Sequence, residues 1–176
     1  MNSDSEMKIM DFVLAAMNMK SKMARKVKTN TFNKSPAIIP VSLQKRTTLI
    51  LHEIDGRKVW HLNPKEVADS DWVVLFLHGG AFYSNITQGH WCLIDKLIQL
   101  SSASFVVPDY PLAPENSCID VIAFLEKLYS LIINEFTDRK IAIIGDSAGG
   151  GLALSLSMKL QSVNMLQPQK IILFSP

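Results

Sequence analysis

Lys140-Ile141-Ala142-Ile143-Ile144-Gly145-Asp146-Ser147-Ala148-Gly149-Gly150-Gly151 is the stretch that decides the fold of this chain. Lys140–Ile144 reads as a buried strand, and Ala148–Gln161 as a helix rich in Ala and Leu. Between them stands Gly-x-Ser-x-Gly. A strand that enters a helix within so few residues turns sharply and lifts the Ser147 hydroxyl above the sheet, on a strained backbone. Side chains two positions before and two after the serine would collide, so Gly145 and Gly149 are needed there, with Asp146 between strand and serine. The helix aims its first N–H groups at any developing negative charge, and the Ala148 N–H is the natural first donor to an oxyanion.

A bare Gly-x-Ser-x-Gly arises by chance in roughly one chain in twenty of this length, so the strand–turn–helix context carries the inference. A dinucleotide-binding turn wants Gly-x-Gly-x-x-Gly, and here Ser147 stands where the second glycine belongs. A phosphate-binding P-loop needs Gly-Lys-Ser/Thr, which this stretch does not contain.

Outward from this turn, strand and helix patterns alternate. Thr47–Ile54 and Lys58–Leu62 read as strands joined at Asp55-Gly56, a hairpin signal. Trp72–Leu77 and Ser104–Pro108 are apolar runs of the kind buried on both faces. Gln88–Ser101 and Cys118–Phe136 read as helices, and Lys170–Phe174 as a last strand. The alternation predicts an α/β fold, a mostly parallel sheet flanked by helices. Residues 5–28 read as an amphipathic helix, with Met7, Met10, Leu14 and Met17 at helical spacing, followed by a loop from Thr29 to Pro40. The expected organisation is an N-terminal helical segment over 1–40 and a core over 41–176.

Composition narrows the functional classes. Of 176 residues, 48% are hydrophobic and 19% charged, which suits a globular domain. A net charge of +2 gives no electrostatic case for nucleic acid. The charge is uneven, with seven Lys/Arg against three acids in residues 1–34. Cys92 and Cys118 have neither metal-ligand spacing nor a disulfide framework and read as reduced, buried thiols. No signal peptide and no membrane span is evident, so a soluble cytoplasmic protein is expected. No metal or cofactor is implied.

The second chemical element is His78-Gly79-Gly80-Ala81-Phe82-Tyr83, directly after the apolar run Trp72–Leu77. Consecutive glycines let backbone N–H groups approach an oxyanion with no Cβ in the way, so Gly79 and Gly80 are the candidate further donors. His78 at the strand end reads as a bracing residue rather than a base. With Asp109-Tyr110-Pro111-Leu112-Ala113-Pro114-Glu115 between them, these blocks resemble the hormone-sensitive-lipase-like esterases of the α/β-hydrolase family, which carry a Gly-Asp-Ser-Ala-Gly elbow. The resemblance covers roughly residues 40–176. Ala81 stands where the family commonly has a third glycine, and Pro111 where it often has Arg.

The resemblance implies a small-molecule ester substrate, Ser147 as nucleophile, and residues 5–28 as a cap over the site. It also implies an acid and then a histidine after the serine in chain order. Residues 148–176 contain no Asp, Glu or His, and His52, His61, His78 and His90 all precede Ser147. The family's acid and base therefore have no positions here, and the expectation is an α/β-hydrolase lacking its last strands. Alternatively, a second polypeptide supplies the missing groups, or His78 serves as a substitute base. Lys170–Phe174 would be an apolar edge open to a second copy or chain. The rival from another class is a hydrolase-fold binding module without catalysis. An amidase or deacetylase on the same elbow stays open.

Overall fold

In the computed structural model, the described residues are Lys22, Ala24–Lys26, Lys28, Thr29, residues 31–65 and residues 70–175. Two compact units divide the chain, residues 1–33 and residues 34–176. In the first, the described positions between 22 and 29 are helical, and the Thr29 hydroxyl donates to the Arg25 carbonyl at 2.9 Å. The rest of the helix expected over 5–28 lies outside the described residues.

The second unit holds six strands and four helices among its described residues. They are α1 (Val41–Arg46), β1 (Thr47–Ile54), β2 (Arg57–Pro64), β3 (Trp72–Leu77), α2 (Gln88–Ser101), β4 (Ser104–Pro108), α3 (Cys118–Glu135), β5 (Lys140–Asp146), α4 (Ala148–Ser162) and β6 (Lys170–Phe174). The sheet order is β1-β2-β4-β3-β5-β6. The hairpin β1–β2 and the pair β2–β4 are antiparallel, while β3–β4, β3–β5 and β5–β6 are parallel. The expected mostly parallel α/β sheet is therefore present, with β6 at its edge.

The apolar runs are strands because both faces of the sheet are covered. Val73, Leu75, Leu77, Ile141 and Ile143 pack on one side with Leu125 and Leu128 of α3 and Leu152 and Leu156 of α4. Val74, Phe76, Ala142 and Ile144 pack on the other with Trp91 and Ile94 of α2, and with Leu43 of α1. Alternate residues of each strand serve opposite cores, as the two-residue period of a strand dictates.

The connection through α2 leads from β3 to β4 on one side of it, and the connection through α3 returns from β4 to β5 on the other. The chain thus reverses direction across the sheet at β3, and such a switch point opens a crevice at the carboxyl ends of the strands. Phe76 pairs with Ile144 and Leu77 with Gly145, so β3 and β5 end side by side. The His78–Tyr83 loop and the Gly145–Gly149 turn leave the sheet at this crevice.

Candidate functional site

Ser147 sits at the N-cap of α4 with φ 48° and ψ −117°, a left-handed backbone for a residue with a Cβ. It is exposed, whereas Gly145, Gly149 and Gly150 are buried. A Cβ on Gly145 would collide with the Gly149 carbonyl, and one on Gly149 with the carbonyls of Leu77 and His78. These glycines let the turn close and let α4 press on the end of β3. The Ser147 carbonyl accepts from the Gly150 N–H at 2.8 Å, and the Ser147 N–H donates to the Phe174 carbonyl at 2.7 Å. The turn is thus tied both to its own helix and to the end of β6.

Gly79 faces this turn across the crevice. A Cβ placed on it would lie 2.6 Å from Asp146 Oδ2 and 3.2 Å from the Ser147 Cβ. Only a residue without a side chain allows the His78–Gly80 backbone to lie this close to the serine. Gly80 has φ +132°, and its carbonyl accepts from the N–H groups of Tyr83 and Ser84 at 3.0 and 2.9 Å. Ala81 and Phe82 follow with φ 54° and 65°. Ala81 therefore holds a conformation that a third glycine would adopt without strain. Outside helices and strands, the N–H groups of Gly79, Gly80 and Ala148 donate to no backbone carbonyl among the described residues.

His78 is fully buried beneath this loop. Its Nδ1 lies 2.8 Å from the Gly79 carbonyl oxygen, which can only accept, so Nδ1 carries the hydrogen. Its Nε2 is buried with no hydrogen-bond partner among the described residues. Burial pushes the imidazole down to about 4, with the Gly79 carbonyl opposing and nearby His90 adding to the effect. The ring is neutral near pH 7, and it stacks on Tyr110 with centroids 4.3 Å apart. The Tyr110 hydroxyl donates to the His78 carbonyl at 2.6 Å.

Three contacts at this site carry no local signature in the sequence. His90 Nε2 lies 3.1 Å from Asp146 Oδ2, joining α2 to the serine turn. Asn85 donates to Asp109 Oδ1 at 2.6 Å and to the Lys34 carbonyl at 3.0 Å, while Arg57 faces Asp109 at 3.8 Å. The Ala113 N–H donates to the Phe82 carbonyl at 2.8 Å, so the 109–115 turn braces the glycine loop from outside. Glu115 pairs with Lys34. Cys92 on α2 and Cys118 at the start of α3 are free thiols but exposed rather than buried, because each falls on a part of its helix that faces away from the core. No group of three or more His, Cys, Asp or Glu among the described residues is placed to hold a metal ion. No helix among them is long and apolar enough to cross a membrane.

A serine turn and a glycine loop that meet at the switch point of a parallel sheet define a class of α/β proteins built on a strand–serine–helix elbow. Residues 74–176 match the alpha/beta hydrolase fold family, and the chain belongs to it, as a hormone-sensitive-lipase-like member. The chain is 34% identical over 113 residues to an esterase of Acinetobacter venetianus, covering 64% of this chain and 37% of the relative. It is 30% identical over 132 residues to the carboxylesterase/phospholipase LipF of Mycobacterium tuberculosis, covering 74% of this chain and 35% of the relative. A solved esterase from the bacterial hormone-sensitive lipase family superposes with a TM-score of 0.67 at 25% identity, over 76% of this chain and 45% of that one. The chain thus spans between a third and a half of the length of these relatives.

Proposed function

We propose that this chain carries the nucleophile and the oxyanion donors of a carboxylic ester hydrolase. Ser147 Oγ attacks the ester carbonyl carbon, and the resulting oxyanion accepts from the N–H groups of Gly79, Gly80 and Ala148. Collapse of the tetrahedral species expels the alcohol and leaves an acyl-serine, which water then hydrolyses. The observation that carries this reading is the approach of Gly79 to within 3.2 Å, measured from its Cβ position, of the exposed Ser147 Cβ. A loop so close to the serine supports the reading of its backbone N–H groups as donors to the carbonyl oxygen of the ester that Ser147 would attack. The esterase names of the relatives support the same substrate class.

A serine hydroxyl needs a base to take its proton. His78 is buried under the loop, His90 is held by Asp146, and His52 and His61 lie on β1 and β2. We assign this chain the attacking oxygen and the oxyanion donors, with acid and base supplied by groups outside residues 148–176. The open edge of β6 offers backbone partners to another strand, in a second copy or a second chain. Sedimentation showing only monomer at high concentration would count against self-association there.

The test is mass spectrometry after treatment with a fluorophosphonate probe. Labelling at Ser147, lost in Ser147→Ala, supports the reading. An unlabelled but folded chain favours a hydrolase-fold binding module instead.

A further inference from the structure

The two glycine N–H groups of the loop belong to peptide units whose carbonyls are both held from below. A trans peptide is planar, with its C=O and N–H pointing in opposite directions. The only cis bond among the described residues is Ala113–Pro114, so the units 78–79 and 79–80 are trans. In the first unit, the His78 carbonyl accepts from the Tyr110 hydroxyl at 2.6 Å. In the second, the Gly79 carbonyl accepts from His78 Nδ1–H at 2.8 Å. The partner N–H of each unit, that of Gly79 and that of Gly80, therefore points away from the buried side chains.

We infer that Tyr110 and His78 are positioning residues, Tyr110 aiming the Gly79 N–H and His78 aiming the Gly80 N–H at the carbonyl oxygen of the ester that Ser147 attacks. This rests on the reading of those N–H groups as oxyanion donors.

Three observations extend it. The Tyr110 and His78 rings stack with an interplanar angle of 18°, so the two anchors hold each other in place. Both residues are fully buried, so water does not compete for either carbonyl. A carbonyl that accepts a hydrogen bond also polarises its own peptide, which strengthens the N–H at the other end. Glycine alone sets no direction for a peptide plane, because its backbone turns freely. The loop needs glycines to approach Ser147, and the buried pair supplies the orientation that glycines cannot.

The test uses the full chain with its eight glycines labelled with nitrogen-15. Tyr110→Phe keeps the ring stack and removes the hydroxyl. The Gly79 amide resonance is expected to move, while that of Gly56, in the β1–β2 turn, stays in place. Fluorophosphonate labelling of Ser147 is expected to slow about tenfold, part of the roughly 10²–10³ lost when an oxyanion donor is removed outright. An unmoved Gly79 amide overturns the role of Tyr110.

Should Tyr110→Phe fail to fold, the native sequence is grown with 3-fluorotyrosine at Tyr83, Tyr110 and Tyr129. A fluorinated phenol is the stronger donor, so the Gly79 amide should move in the opposite sense, and no movement overturns the proposal. Failure of the native chain to label Ser147 would count against esterase chemistry, and the glycine resonances would still decide whether Tyr110 aims the Gly79 N–H.

Discussion

His90 holds Asp146 across 56 residues of sequence, Nε2 to Oδ2, at 3.1 Å. The tautomer follows from the opposite side of the ring. The Thr87 N–H donates to His90 Nδ1 at 3.0 Å, so in the neutral imidazole the hydrogen sits on Nε2 and is donated to the carboxylate. One side chain thus closes the capping box of α2 and fixes the residue before the serine. His90→Ala is expected to cost about 1–2 kcal/mol, for the lost cap and the lost hydrogen bond together. A double-mutant cycle in urea with Asp146→Ala should return a coupling of at least about 0.5 kcal/mol. Additive losses would show that the pair does not act as a unit.

The buried His78 makes stability depend on pH. Its imidazole titrates at about 4 in the folded chain and near 6.5 in the unfolded one, so between those values the unfolded chain binds the extra proton. Stability is full above pH 6.5 and falls as the pH is lowered towards 4, by at most about 3 kcal/mol. His61 is also pushed down by burial and adds a loss of the same sign. Urea midpoints at pH 7 and pH 4.5 should therefore lie closer together in His78→Asn than in the native chain. Equal separations would contradict the buried neutral ring.

The strands of the switch point were legible because burial on both faces leaves an unbroken apolar run, as in Trp72–Leu77. The serine turn was legible because its geometry demands glycine at two fixed positions. Helix α1, Val41–Arg46, was not read from the sequence. Six residues are too few to show a helical period, and only Leu43 of them is buried. Strand β2 runs from Arg57 to Pro64, beyond the apolar centre Lys58–Leu62, since pairing with β1 continues past the last buried side chain. The partners of His90, Asn85 and Tyr110 lie on other elements, and no local pattern announces a contact made by folding. Thr87-x-x-His90 did offer one clue, a capping box with His in place of the usual Glu or Gln.

The glycines should rank by what their missing Cβ would meet. At Gly145 and Gly149 the obstacle is backbone of the turn and of the end of β3, which cannot rotate aside. Ala at either position is expected to cost about 3 kcal/mol or more. At Gly79 the nearest obstacle is the Asp146 carboxylate, a side chain that can give way by loosening from His90. Gly79→Ala should cost less in stability and slow fluorophosphonate labelling of Ser147 more than its stability loss explains. Gly56, with φ +75° and open space around it, serves as the control for backbone strain alone, at about 1 kcal/mol for Ala. A Gly79→Ala loss equal to that of Gly149→Ala would mean that the Asp146 carboxylate, or the Asp146 backbone carbonyl 3.0 Å from the same Cβ position, cannot move aside.

Ser147 itself should be a site of stored strain. Its φ of 48° with ψ of −117° is a conformation that a Cβ disfavours and glycine accepts. Ser147→Gly is therefore expected to raise stability by about 1 kcal/mol, even though glycine also gives the unfolded chain more freedom. Ser147→Ala keeps the Cβ and should give no such gain. The difference between the two variants in urea unfolding isolates the backbone term, because both remove the hydroxyl and both abolish labelling. Ala81→Gly, at φ 54° in the facing loop, should gain by the same mechanism while leaving the hydroxyl in place. If neither glycine variant is more stable than its alanine counterpart, the two sides of the crevice are not strained. The sharp turn would then rest on packing of Gly145 and Gly149 alone.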